Sequence, residues 1–217
     1  MGTGQFARKT CFLLAVGLPL WLTQFAHAGT EPGAAESPAD LFDRGLYDEA
    51  MTRWRKAVDT TKDAEAAFRL GDIYEAGAIV DENLEEAAKW YLIAAEGGHA
   101  KAQFALAAFY QAGAGVAQSD EKAAFWFKQC AERGNPNCQF GLGQLLDQPD
   151  SPISDPIEAY KWYYLSAKNG LIEFDAEELV ALAERMDQTQ KRAAMKRAIS
   201  FRPLSGPTTA TVSSGAD

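Results

Sequence analysis

Histidine is nearly missing: 217 residues hold two, His27 and His99. A nucleophilic relay needs a Ser or Cys and an acidic orienter around its imidazole. Nothing beside His99 supplies them, and it reads as a solvated turn residue after Gly97-Gly98. No His/Cys cluster has metal-ligand spacing, so neither catalytic residues nor a metal or other cofactor is expected. Basic charge is also short, with 21 Lys plus Arg against 30 Asp plus Glu and a formal net charge of −9. An acidic chain with no basic tract suits neither nucleic acid nor anionic lipid. Cysteine is confined to Cys11, Cys130 and Cys138. Long apolar runs are confined to one, Phe12 to Leu22, too short for a comfortable membrane span.

That run sets the expected compartment. Arg8 and Lys9 precede it and Ala26-His27-Ala28 follows it, which is the order of a secretory signal peptide over 1–28. Cleavage after Ala28 removes two cations and no acid, so the mature net charge becomes −11. A periplasmic or secreted protein is expected, with no integral membrane segment after cleavage. Residues 29–38 read as a Pro/Gly linker, and the rest is enough for one domain.

What the chain does have is a period. Tryptophan recurs at Trp54, Trp90, Trp126 and Trp162, each 36 residues from the last. In the same frame stand Tyr91, Phe127 and Tyr163; Ala87, Ala123 and Ala159; Gly98, Gly134 and Gly170; Phe68, Phe104 and Phe140; and Leu70, Leu106 and Leu142. A fixed period of this length marks stacked supersecondary units rather than one globular core. The recurring rings read as packing between repeats rather than a ligand box.

Each unit reads as a helix A, a loop, a helix B and a tight turn. The spacing predicts helix A of the first full unit over Ala64–Ala76 and helix B from its cap to about Glu96. The B-helix caps recur as Asn83, Ser119 and Asp155, all good capping residues. Glu86 and Glu158, three residues on, predict capping boxes in units one and three. Gly113-Ala114-Gly115 fits the helix connection rather than a phosphate loop. Glu85-Glu86 and Glu177-Glu178 read as helix starts, where acids favour the dipole.

The units fall at 63–98, 99–134 and 135–170. A degenerate helix pair precedes them at 39–62, two capping helices follow at 171–201, and 202–217 reads as a disordered tail. The second capping helix, expected over Gln188–Ser200, would set Met195 and Ile199 on one face. It also carries Lys191, Arg192, Lys196 and Arg197, a solvated face or a docking site for an acidic partner or a membrane surface. Cys130 and Cys138 fall on successive antiparallel helices across a short turn, within reach of a disulfide. Two free buried thiols are the alternative.

These residues resemble the Sel-1-like repeat, a longer relative of the tetratricopeptide repeat. The second unit carries the resemblance through Leu106, Tyr110, Gly113, Gly115, Val116, Asp120, Ala123, Trp126, Ala131 and Gly134. The first does so through Leu70-Gly71, Tyr74, Gly77, Val80, Ala87, Trp90, Ala94-Ala95 and Gly98. The third departs at Leu146 and Pro149, and its loop 149–154 should differ in shape. The resemblance implies an all-α, right-handed solenoid of antiparallel helix pairs whose A helices line the concave side. It further implies a protein–protein interaction module, an adaptor or regulator with a protein partner in the envelope. Positions that vary between units on that side are the candidate partner-binding face: Arg69, Asp72 and Glu75; Gln103, Ala108 and Gln111; Gln139, Gln144 and Asp147. A peptide or partner helix would suit that polar face. Some cysteine-rich relatives bind or slowly hydrolyse β-lactams, which makes a cell-wall-related protein with weak hydrolase activity the alternative. A structural spacer is the third reading.

Overall fold

The computed structural model describes residues 36–170 and 177–205. The expected signal peptide, most of the linker and most of the tail lie outside the described residues. Those described form ten helices and no strand. An N-terminal pair, α1 (Pro38–Asp43) and α2 (Tyr47–Thr61), leads into three A/B pairs. These are α3 (Ala64–Ala76) with α4 (Leu84–Glu96), α5 (Ala100–Ala112) with α6 (Asp120–Ala131), and α7 (Pro136–Leu146) with α8 (Pro156–Lys168). The end is closed by α9 (Glu177–Arg185) and α10 (Gln188–Ser200). Successive helices from α1 to α9 with a direct connection pack on one another, while α10 returns onto α8.

Caps place the helices. Asn83, Ser119 and Asp155 each accept from the first-turn N–H groups of their B helix. Each of these cap residues also donates its own N–H to an A-helix carbonyl: Tyr74, Tyr110 and Leu146, at 2.9, 2.9 and 3.0 Å. That bond survives in the third unit although α7 ends at Leu146 and its cap, Asp147, lacks the left-handed geometry of Gly77 and Gly113. The two predicted capping boxes do not close. Glu86 turns to Lys89 at 3.0 Å, and Glu158 to Lys161 at 2.9 Å and Arg197 at 2.7 Å. Ion pairing takes the carboxylate that the box would use.

Close approach comes from small residues. Gly71 of α3 faces the ring of Tyr91 on α4, where an added Cβ would sit 2.5 Å from two ring carbons. Between units, Gly115 lies in the left-handed region at φ +64° and abuts the start of α4. A Cβ there would be 2.3 Å from the Leu84 carbonyl, so only glycine fits. Trp54, Trp126 and Trp162 are buried as the period predicts, while Trp90 is half-buried with its Nε1 unpartnered among the described residues.

Two expectations are corrected here, and a third is filled in. His99 is not a solvated turn residue: it caps α5, its Nδ1 accepting from Ala102 N–H at 3.2 Å. Its other nitrogen must then carry the proton and donates to Glu65 at 2.9 Å, while the ring stacks on Phe68 at 4.4 Å. His99 therefore joins the first unit to the second. On α10, Met195 and Ile199 share one face, as expected, and line one hollow; the buried face is that of Ala194 and Ala198, and Ile199 is exposed. Finally, the start of the expected disordered tail is ordered through residue 205. Phe201 packs edge-on against Trp162, and Leu204 N–H donates to Glu132 O at 2.8 Å.

The disulfide is present. Cys130 and Cys138 are bonded, with Cα atoms 5.8 Å apart, tying the end of α6 to the start of α7. At the preceding junction the equivalent positions, Ala94 and Ala102, are buried and apolar.

Candidate functional site: a groove along the A helices

Three hollows run along α3, α5 and α7, and neighbours share residues. The first, of about 430 Å³, has Phe42, Trp54, Ile73 and Ile79 in its wall, with Asp43, Arg69 and Asp72 at its edge. The second, of about 360 Å³, is bounded by Phe68, Asp72, Glu75, Tyr91, Lys101 and Phe104. The third, of about 350 Å³, lies among Phe104, Ala108, Gln111, Phe127, Phe140 and Gln144. Asp72 joins the first to the second, and Phe104 and Asn137 join the second to the third. The three hollows thus adjoin in a row, a groove along the A helices.

The period explains its walls. In every unit the helix-A phenylalanine packs against the ring that follows the helix-B tryptophan. The pairs are Phe68–Tyr91, Phe104–Phe127 and Phe140–Tyr163, with centroids 5.8, 5.7 and 5.7 Å apart. Phe104 is left 39 % exposed at the centre of the groove.

Of the nine predicted face residues, Arg69, Asp72, Glu75, Ala108, Gln111 and Gln144 line these hollows. Arg69 is held by Glu65 at 2.7 Å. Asp147 is taken up by Arg185 of α9 at 2.6 Å. Gln103 and Gln139 are not on the groove: both are fully buried. Each donates its Nε2 to the last turn of the preceding B helix, Gln103 to Ala95 O and Gln139 to Ala131 O, both at 3.1 Å. Ala95 O and Ala131 O already accept from Gly98 and Gly134 N–H at 3.0 and 2.9 Å, so these amides add a second bond that crosses each repeat junction. The frame gives the reason for the error. Positions 103 and 139 correspond to the buried Ala67, whereas the equivalents of Arg69 are Ala105 and Gly141.

Electrostatics concentrate in the middle hollow. Tyr91 donates its hydroxyl to Asp72 Oδ1 at 2.8 Å and also reaches Glu75 Oε2. Burial raises the Asp72 carboxyl above its usual range, and the charge of Glu75 adds to this against the opposing bond from Tyr91. Burial, then the bonds to Glu75 and Asp72, push the Tyr91 hydroxyl up, so it stays a proton donor. Burial works the same way on Glu65, but the bonds from Arg69 and His99 outweigh it and its net direction is down. Sequence reasoning missed the Phe42–Trp54 hollow, because aromatics in so regular a frame were assigned wholly to packing.

Antiparallel helix pairs stacked in register around one long groove define an α-solenoid, a class in which each unit contacts its neighbours and the face is built for binding. Three consecutive segments, 64–99, 100–135 and 136–171, match the Sel1 repeat. The protein belongs to the Sel1 repeat proteins. A solved Sel1 repeat protein from Oxalobacter formigenes is similar at 28 % identity and a TM-score of 0.58, covering 75 % of this chain and 67 % of that one. A protective antigen, c5321, from uropathogenic Escherichia coli strains displays an SLR fold and is similar at 20 % identity and a TM-score of 0.44. That match covers 74 % of this chain and 43 % of the antigen. No curated protein matches the chain. Sel1 repeat solenoids are generally protein-interaction modules and typically not enzymes. No described helix is long and apolar enough to cross a membrane.

Proposed function

We propose that the protein is an exported adaptor or regulator, periplasmic or secreted, that binds a segment of a partner protein in the groove along α3, α5 and α7. The observation that carries this is the row of three adjoining hollows. A half-exposed aromatic, Phe104, stands at the centre, and residues that vary between units line the edges. Rigid aromatic anchors beside adaptable polar edges are what a peptide-binding surface needs. Export rests on the signal-peptide features of residues 1–28.

The test is in-cell photocross-linking from Ala108 or Gln144, which line the groove, with Lys168 on α8 as control. Expected is one dominant envelope partner, captured from both groove positions and lost on Phe104→Asp. Equal capture from the control position, or none from the groove, would overturn the reading. Intact mass of the periplasmic product should correspond to a chain beginning at Gly29. No observation in the hollows favours the β-lactam-binding alternative.

A further inference from the structure

Charge is spread unevenly along the groove. The outer hollows are walled by Phe42 and Trp54 on one side and by Phe104 and Phe140 on the other. Between them, Asp72 and Glu75, one turn apart on α3, converge on the single hydroxyl of Tyr91. A phenol carries one proton, so it satisfies one carboxylate at a time. Among the described residues, Tyr91 is the only hydrogen-bond donor to either side chain, and neither forms an ion pair. Arg69, the cation one turn back, is committed to Glu65. Lys101 lines the same hollow but lies over the Phe68 ring, 6.0 Å from its centroid. Asp72 is half-buried beside the exposed Glu75; Arg69 and His99 pull its carboxyl down from a distance, but burial and the charge of Glu75 outweigh them and the net direction is up.

We infer that the groove's occupant is a peptide segment carrying an arginine or lysine, which enters between Asp72 and Glu75, flanked by apolar side chains for the two outer hollows. This rests on the groove reading above. Arginine suits the site better than lysine. Its planar fork can engage two carboxylates at once, and its flat face can lie on the exposed Phe104 ring. An acidic segment would add a third negative charge where the Asp72 carboxyl is already raised. Lys101 competes for the same field, so its removal favours a cationic guest.

A positional-scanning array of decapeptides, probed with the mature protein, tests this. Expected is enrichment of Arg, then Lys, at one position, with Leu, Phe or Trp favoured on both sides. The best peptide and its citrulline-substituted twin are then compared by fluorescence anisotropy. Wild type should prefer arginine at least tenfold. Asp72→Asn/Glu75→Gln, which keeps shape and leaves acceptors for Tyr91, should lose that preference but still hold the apolar flanks. Lys101→Met should tighten the cationic peptide severalfold. Thermal melts confirm that both variants are folded. Retained peptides without a cation preference, or a preference that the double variant leaves intact, would overturn this inference alone. No retained peptide would overturn the groove reading with it.

Discussion

A single methyl group at position 71 tests how the helix pairs are held. In isolation, Gly71→Ala should help, because alanine is favoured over glycine in a helix interior by about 1 kcal/mol. The structure says otherwise. An added Cβ would lie 2.5 Å from Cδ1 and Cε1 of Tyr91, well inside the 3.5–4.0 Å optimum between carbons. The ring has little freedom to withdraw. Its hydroxyl is bonded to Asp72 and Glu75, its face lies 5.8 Å from Phe68, and Phe109 meets it edge-on at 5.5 Å. Overpacking a well-filled core costs about 1–3 kcal/mol, and a ring pinned at both ends belongs in the upper half of that range. After the propensity gain, a net loss of about 1–2 kcal/mol is expected. Urea denaturation followed by far-UV ellipticity reads it as a lowered midpoint at unchanged slope. Ala107, at the equivalent position in the second unit, provides the contrast: Ala107→Gly should also destabilise, by at least about 1 kcal/mol, from propensity together with the loss of a buried methyl group. In a Tyr91→Phe background the ring loses its hydroxyl anchor, and Gly71→Ala should cost less. A Gly71→Ala midpoint at or above wild type would refute the reasoning.

Three further outcomes are expected. Cys130 and Cys138 should be unreactive to a thiol reagent until reduced, and Cys130→Ala/Cys138→Ala should lose about 2.5 kcal/mol, the chain-entropy value for a loop of sequence separation 8; a stoichiometric thiol reaction without reductant contradicts the bond. Trp126→Ala should cost about 3–5 kcal/mol by equilibrium unfolding, since the ring is buried; a change within about 0.5 kcal/mol contradicts its place in the core. Asp72→Asn should stabilise the fold at neutral pH by about 0.2–0.5 kcal/mol, the size of a like-charge pair one turn apart. The sign follows from linkage: a carboxyl raised in the folded state binds its proton more tightly there, so stability falls as pH rises through that range. Melts repeated below the usual aspartate range should show the gain gone.

The period made the fold legible to the residue in places. Helix α3 spans the predicted Ala64–Ala76, and the three B-helix caps are those expected from polar residues at one frame position. The A-helix caps obey the same frame, as Asp63, His99 and Asn135. They escaped notice because a carboxylate, an imidazole and an amide share a role there but no chemistry. The site was half legible. Asp72, Glu75 and the second-unit residues Ala108 and Gln111 follow from helical facing. Gln103 and Gln139 do not, because polarity suggests exposure, whereas each amide is buried on a carbonyl at the end of the preceding B helix. Side-chain competition, as at Glu86 and Glu158, depends on neighbours across the stack that a single repeat does not show.

The return of residues 201–204 onto α6 and α8 makes the two ends of this array unequal. In a stack where units touch only their neighbours, unravelling can start at either end by breaking one interface. Here Leu204 is hydrogen-bonded to the turn after α6, and Phe201 covers Trp162. The third unit and its closing helices are thus bracketed between the disulfide on one side and the chain's own return on the other. Peeling from the C-terminal end must release a long-range clasp before it frees a single helix. Among the described residues the α1 end is closed instead by Phe42 against Trp54, the two rings that wall the first hollow, so opening that end would also open the hollow.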